Sequence, residues 1–458
     1  MKRNHKSTTR PASGIAAVAA ILAAASLVLS GCSGPSSSSP TGGATGGGAT
    51  TTTTLTVQTE TGWWVQALNV AITKFESQHP GVKVELQTIT DEQKTTTNTQ
   101  VLTGNNPPDI GLVPTNAQSF PQLANAKQLT PLDDVWQQQD LEKGYGASLA
   151  DTMKVGGTPY VILVDQGIYN LAWYNTDAFK AAGITVPANH QIASNADLYS
   201  MTKALKAKGY EGLSISGNDG YQLGWLLDAQ LFSNASKPAF ADLTTSWQTG
   251  QQTVKYTDPE FLGSVQQIKD WFDNGVFPNG MLSLTDPQAQ ALFTSGKAAM
   301  LLGGTFTIPI IDQANPSFQY DWLTLPSATA GNPTLPTQYG GDCLGIPAKA
   351  ANQDLAKQFL SLISSPDMQV EMAKASGMLP SLTTVDTSGL GYGTQLTSLL
   401  AFMGQNGASS GWTSIVPGAL AQTFFDTEAQ KLLAGQETVA QLGEKQQQQF
   451  ETFVSQNG

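Results

Sequence analysis

Past Arg10 the chain contains no arginine, and its 458 residues include only two cysteines and three histidines. The planar guanidinium fork is the usual bidentate partner of carboxylate and phosphate groups. Its absence counts against amino acids, oligopeptides and phosphorylated compounds as ligands and leaves neutral polyhydroxyl compounds in good standing. His79 and His190, the two histidines beyond the N-terminal region, sit in turns flanked by helix stops or polar residues. That setting argues against a histidine-based metal site or catalytic triad. Cys343, in Asp342-Cys343-Leu344-Gly345-Ile346, reads as a small buried apolar residue. No apolar run reaches the roughly 20 residues that span a bilayer.

What is present at the N-terminus is a targeting pattern. Lys2, Arg3, Lys6 and Arg10 precede an apolar run from Ile15 to Leu29, which closes in Leu29-Ser30-Gly31-Cys32. A basic start, an apolar centre and a small-residue end make a secretory signal peptide. The ending resembles the bacterial lipobox, which implies cleavage before Cys32 and a diacylglycerol on its sulfur. Residues 1–32 are therefore expected to be a lipoprotein signal, with the protein lipid-anchored to the outer face of the bacterial cell membrane. The tract Ser33 to Thr54 has no charge and almost no apolar residue, so it is expected to be a disordered tether. About 22 residues of such coil reach roughly 25–30 Å on average. Four of the 23 basic residues and no acidic ones lie in the leader, so the remainder carries 19 − 35 = −16. So acidic a surface excludes nucleic acid as a natural partner.

About 400 residues follow, too many for a single core. Leu55-Thr56-Val57-Gln58-Thr59 alternates like a strand. Trp64, Leu68, Ile72 and Phe75 then mark a helix, which stops at His79-Pro80-Gly81. Val82 to Leu86 alternates again, a polar helix runs from about Asp91 to Leu102, and Ile110-Gly111-Leu112-Val113 reads as a buried strand. This order predicts an α/β fold with a largely parallel sheet.

Several segments carry a resemblance. Phe75-Glu76-Ser77-Gln78-His79-Pro80-Gly81-Val82-Lys83-Val84 is followed by Gly104-Asn105-Asn106-Pro107-Pro108-Asp109-Ile110 and Leu129-Thr130-Pro131-Leu132-Asp133-Asp134. Further on stand Gly157-Thr158-Pro159-Tyr160-Val161, Ala172-Trp173-Tyr174-Asn175-Thr176-Asp177-Ala178-Phe179 and Phe293 to Met300 with Gly303-Gly304-Thr305. Gly340-Gly341 to Ile346-Pro347, Ala356 to Leu362 and Gly377-Met378-Leu379-Pro380 complete the order. In this order the segments resemble the extracellular solute-binding proteins of carbohydrate ABC importers, the maltose-binding-protein-like group. The resemblance implies a two-lobed, type II periplasmic-binding-protein-like fold, with central mixed sheets flanked by helices and a hinge of crossing segments. Residues 55–168 plus 345–380 would form one lobe, and 172–340 plus 384–458 the other. Crossings would fall near Ile168–Trp173, Gly340–Ile346 and Pro380–Thr384. The implied protein is a monomer that binds a small saccharide between its lobes and delivers it to ABC permease subunits, without cofactor or metal.

A neutral sugar presents C–H faces that stack on aromatic rings and hydroxyls that need donors and acceptors. Candidates are therefore rings and Asp or Asn residues in loops after strands. Trp63 and Trp64 follow the first strand; Trp64 shares the stripe of Leu68 and reads as core, which leaves Trp63 for the cleft. The resemblance points to Asn116, although Pro114-Thr115-Asn116 lacks the aromatic seen in many relatives. Asp165 precedes the hinge in a stretch long enough for the matching position to fall on Tyr169 or Asn170. Tyr221 and Trp225 fall where relatives stack a ring, and Trp225, which begins an apolar run with Leu226 and Leu227, has a core reading as well. Phe306 takes the place of the family's tryptophan. Tyr339 and Asp342 border the second crossing, and Trp412 precedes the C-terminal helices. Trp173 and Trp271 read as core.

No enzyme is expected. Ser200-Met201-Thr202-Lys203 fits the Ser-x-x-Lys pattern of penicillin-recognising enzymes, but no Lys-Thr-Gly or Ser-Asp-Asn accompanies it. The alternative function class is a glycan-active enzyme or a glycan-adhesion lipoprotein.

Overall fold

The computed structural model describes residues 52–457, apart from 61–62, 91–92, 95–96, 116–118, 330–331, 333 and 340–342. The leader with Cys32, most of the Ser33–Thr54 tract, Asn116 and Asp342 lie outside the described residues. Among those described, no helix is long and apolar enough to cross a membrane.

Thr53–Glu60 forms the first strand, and Val82–Ile89 runs parallel to it, from Thr53 opposite Val82 to Glu60 opposite Ile89. The intervening helix, Trp63–Gln78, buries Trp64, Leu68, Ala71, Ile72 and Phe75. Three- and four-residue steps put these side chains on one face. The helix cannot run on through Pro80, which has no N–H. Gly81 then turns the chain at φ +94°, a conformation that side chains disfavour.

Asp109 ties this half together. Its buried carboxylate accepts from Thr56 N at 2.8 Å, Thr56 Oγ1 at 3.0 Å and Asn352 N at 2.8 Å. It thus joins the first strand to the start of the helix Gln353–Ile363. That helix returns to the core, where Phe359 meets Phe75 edge-on at 5.2 Å. Gly111–Leu112, Cys343–Gly345 and Val161–Leu163 make a three-stranded antiparallel sheet with Cys343–Gly345 in the middle. Cys343 is fully buried there, as its apolar surroundings in sequence predict.

The chain changes sheet at Val164, ahead of the Ile168–Trp173 stretch expected to cross. It enters an 11-residue strand, Asp165–Asn175, in which only Asp165 is not buried. Ala298–Gly304 pairs along one edge of this strand, while Thr337–Tyr339 and Tyr320–Leu323 share the other. Leu379–Pro380 pairs with its first two residues. Glu211–Ser214 lies parallel beyond Ala298–Gly304, and Ser409–Ser410 beyond Thr337–Tyr339. Both faces of this seven-stranded sheet are covered. Ile168, Leu171 and Trp173 pack with Phe293, Leu301 and Trp322 on one side. Ala172 and Tyr174 pack with Leu213, Met300 and Leu302 on the other. Strict alternation would put Ile168 and Leu171 on opposite faces. A bulge between Tyr169 and Leu171, with Asn170 at φ +63°, restores their common face.

Three cores result. One gathers Leu55 to Val164 with Cys343 to Leu382, and the other two flank the large sheet. Asp109→Ala would leave the Thr56 and Asn352 donors without their buried acceptor. We expect a loss of roughly 2–4 kcal/mol of unfolding free energy, measured by urea denaturation.

Candidate functional site

Tyr221 and Trp225 stand four residues apart on the helix Tyr221–Asn234, which sets their rings on one face. The rings meet edge-to-face with centroids 4.9 Å apart. Trp225 also meets Tyr169 of the long strand at 5.0 Å and Phe306 at 5.7 Å. Tyr169 in turn meets Tyr339 edge-on at 6.3 Å. Phe306 precedes the helix Thr307–Ala314, and Tyr339 ends its strand opposite Gly167. The Phe306 ring folds onto the backbone of Gly304, where a Cβ would come within 2.4 Å of it. Tyr221, Trp225, Phe306 and Tyr339 are half-buried, and Tyr169 is buried beneath them. The five rings form one continuous wall, close to the residues where the chain passes between sheets.

Polar groups border the wall. Gln338 Nε2 donates to Gln166 Oε1 at 2.8 Å, and Gln166 Nε2 donates to Ser381 O at 3.1 Å. Half-buried Asp165 opens the long strand opposite Pro380. The Tyr221 hydroxyl bonds the Asp286 carboxylate, whose pKa burial pushes up to about 6, with Asp219 adding a like charge. At the C-terminal end of the first strand, Glu60 forms a largely buried ion pair with Lys94. Behind the wall, fully buried Asp228 accepts from Tyr169 Oη at 2.8 Å, Thr413 N at 2.7 Å and Thr413 Oγ1 at 2.5 Å. Burial outweighs these three bonds and raises its pKa to about 7.

The structure thus brings together Tyr221, Trp225, Phe306 and Tyr339, with Asp165 nearby on the strand that carries Tyr169. Trp63 begins its helix directly after the first strand. Trp412 is a correction: it is fully buried among Tyr256, Phe261 and Phe425, and its Nε1–H donates to Leu243 O at 3.2 Å. The loop position suggested a cleft, but the apolar helices around Trp412 enclose it in the core. Trp64, Trp173 and Trp271 are buried as expected. Sequence reasoning missed Asp228, Asp286 and the Glu60–Lys94 pair. For Asp228 there was a signal, a lone charge between Leu226, Leu227 and Leu231.

Two concave regions lie elsewhere. A cavity of about 540 Å³ separates the helices Thr307–Ala314 and Pro366–Ser376, and a groove of about 600 Å³ runs beside Asp134 and Lys357. Neither includes a ring of the wall. The wall remains the stronger candidate because its five rings are in mutual contact and lie where the chain passes between the two sheets, with hydrogen-bonding side chains beside them. Ser200 and Lys203 stand exposed on the surface helix Asn195–Lys206. His190 is stacked on Trp322 at 4.1 Å, and His79 is packed against Phe75.

A family model for bacterial extracellular solute-binding proteins matches residues 61–370. The chain belongs to that family. An uncharacterised ABC transporter extracellular-binding protein of Pyrococcus horikoshii is 25% identical over 331 residues, 69% of this chain and 70% of that protein. The multiple sugar-binding protein of Streptococcus mutans is 23% identical over 298 residues, 65% of this chain and 68% of its own. The solved chitin oligosaccharide binding protein superposes with a TM-score of 0.76 at 22% identity, covering 88% of this chain and 99% of that one. A solute-binding protein in complex with raffinose gives 0.70 at 17%, covering 88% and 100%. The fold of this solute-binding protein is the α/β, type II periplasmic-binding-protein fold, with helices flanking mixed sheets.

Asp228, Asp286 and Asp426 are all raised by burial. In the unfolded chain an aspartate ionises near 3.9, so the folded state holds more protons between about pH 4 and 7. Stability from these groups is full below that window and is lost as pH rises through it. Surface carboxylates held low, such as Glu76 bonded to Val84 N, act the opposite way but are screened by solvent. The contrast with Asp228→Asn isolates the buried contribution. That variant should flatten the fall in melting temperature between about pH 5 and 7, as followed by scanning calorimetry.

Proposed function

We propose that this protein is the saccharide receptor of an ABC importer. It holds a neutral sugar against the wall of Trp225, Tyr221, Phe306 and Tyr339 and performs no chemistry. The wall carries this reading. Half-buried rings offer apolar area to the C–H faces of a sugar, and Asp165, Gln166, Asp286 and Gln338 supply acceptors and donors for its hydroxyls. The lack of arginine beyond Arg10 disfavours anionic ligands. The sugar-binding names of several relatives support the same class.

In this reading the core of Leu55 to Val164 with Cys343 to Leu382 belongs to one lobe, and the large sheet with its two flanking cores belongs to the other. The hinge comprises the passages Leu163–Asp165 and Tyr339–Cys343 and the pairing of Leu379–Pro380 on the long strand. A sugar that contacts both lobes favours the closed form through its differential affinity. The closed form is what a permease would recognise. Asn116 and Asp342 are retained as ligand candidates from the resemblance, and Trp63 from its position after the first strand.

A thermal-shift screen against mono- and oligosaccharides tests the ligand class. A sugar at a hundred times its dissociation constant should add about 2.7 kcal/mol of stability. Binding of a free amino acid or phosphate with no response to any sugar would refute the proposal. Trp225→Ala should weaken sugar binding about tenfold, or ~1.4 kcal/mol, with a modest stability cost. Trp412→Ala should instead cost about 3–5 kcal/mol of stability. Calorimetric titration and urea unfolding of both variants separate the two roles.

We also propose that Cys32 carries a lipid anchor and that residues 33–52 are its tether; Thr53 and Thr54, expected in that tract, belong instead to the first strand. Cys32→Ser should release the protein from the membrane fraction and abolish incorporation of labelled fatty acid. Unchanged detergent partitioning would argue against the anchor.

A further inference from the structure

We infer that Asp228 is a positioning residue for the aromatic wall: by holding the Tyr169 hydroxyl, it fixes how Tyr169 supports Trp225 and Tyr339. The consequence for ligand binding rests on the saccharide reading above; the positioning itself does not.

The helix Tyr221–Asn234 is packed with Leu223, Leu226, Leu227 and Leu231, all fully buried. A carboxylate among them is costly unless it is hydrogen-bonded, and packing alone would be served by an apolar residue of similar size. Asp228 spends its acceptors on two segments remote in sequence. Its Oδ1 takes Thr413 N, and its Oδ2 takes Thr413 Oγ1 and Tyr169 Oη. Tyr169 Oη lies 3.1 Å from Ser414 Oγ as well. Asp228 therefore links the wall helix, the long strand and the Gly411–Ser414 turn at one point. Tyr169 is where the wall needs fixing, because its ring touches both Trp225 and Tyr339.

Two glycines make the approach possible. A Cβ at Gly411 would lie 2.2 Å from Tyr169 Oη and 2.8 Å from Asp228 Oδ2. A Cβ at Gly224 would lie 2.6 Å from Asp426 Oδ1 and 2.9 Å from Thr413 Cγ2. Asp426 is the other acid facing Asp228. It is buried, and its Oδ1 has no hydrogen-bond partner among the described residues. From the strand comes Tyr169, with its proton held by burial and by the charge of Asp228. The 411–414 turn contributes the neutral Thr413 and Ser414, and the helix Pro259–Asp273 brings apolar Phe261 and Val265 into the same core. Burial and the neighbouring charge of Asp228 both oppose ionisation of Asp426, whose burial cost is met by keeping its proton. Asp228 is left as the acceptor. A proton on Asp228 would have to be donated onward, which reverses one of its hydroxyl bonds and slackens the hold on Tyr169.

The test uses the full chain without ligand. Acrylamide quenching is compared with and without Trp225→Phe, so that the difference reports the Trp225 indole alone. At pH 8, Tyr169→Phe and Asp228→Asn should each raise the Trp225 quenching constant about twofold, through local loosening. In the parent the constant should also rise between about pH 8 and 6, and Asp228→Asn should abolish that rise. Equal quenching in parent and variants, or an unchanged pH response in Asp228→Asn, overturns the inference. A purely structural role would lower stability without moving either readout. Tyr169→Phe removes a single oxygen and carries the test if Asp228→Asn fails to fold. Because no sugar is present, a negative result leaves the saccharide proposal intact, and a failed sugar screen leaves this inference intact.

Discussion

A buried strand has to find partners for every backbone amide and carbonyl on both of its edges. Asp165–Asn175 meets this demand with strands gathered from Ala298, Tyr320, Thr337 and Leu379 onward. These partners all fall between residues 298 and 380, so the organisation of that stretch follows from satisfying one strand. The same strand begins directly after Val161–Leu163 of the smaller sheet. Its first residues consequently lie where the two sheets adjoin, and Tyr169, one turn of pleat further in, anchors the rings of the wall.

Local patterns made the first third of the fold readable. The apolar stripe of Trp63–Gln78, the stop at Pro80-Gly81 and the alternation of the first two strands are all short-range, and short-range preferences survived into the structure. The place where the chain changes sheet, at Val164, was not legible in the same way. Val164 and Ile168 lie four residues apart, either side of Asp165-Gln166-Gly167, and periodicity cannot say which hydrogen-bonding partner a residue takes. The bulge at Asn170 compounds this, since one inserted residue resets the face of everything before it.

The site was half legible for a similar reason. Tyr221 and Trp225 share a helical face, so their pairing could be read locally. Phe306 and Tyr339 joined them only through the sheet. Trp412 and Asp228 show the limit from opposite sides. A ring in a glycine-bounded loop turned out to be core, and a charge in an apolar helix turned out to be bonded to residues 59 and 185 positions away. Burial and partnership are properties of the assembled chain, and neither residue type declares them alone.

The placement of Cys343 has a practical side. A thiol sealed inside a sheet is a poor nucleophile toward bulky reagents, since the reactive thiolate needs access and solvation. In protein that begins after Cys32, the surface therefore offers maleimide dyes no competing sulfhydryl. A single cysteine introduced at the rim of the aromatic wall would take a fluorophore alone and report on whatever docks there, making the scaffold a ready starting point for a reagentless optical sensor.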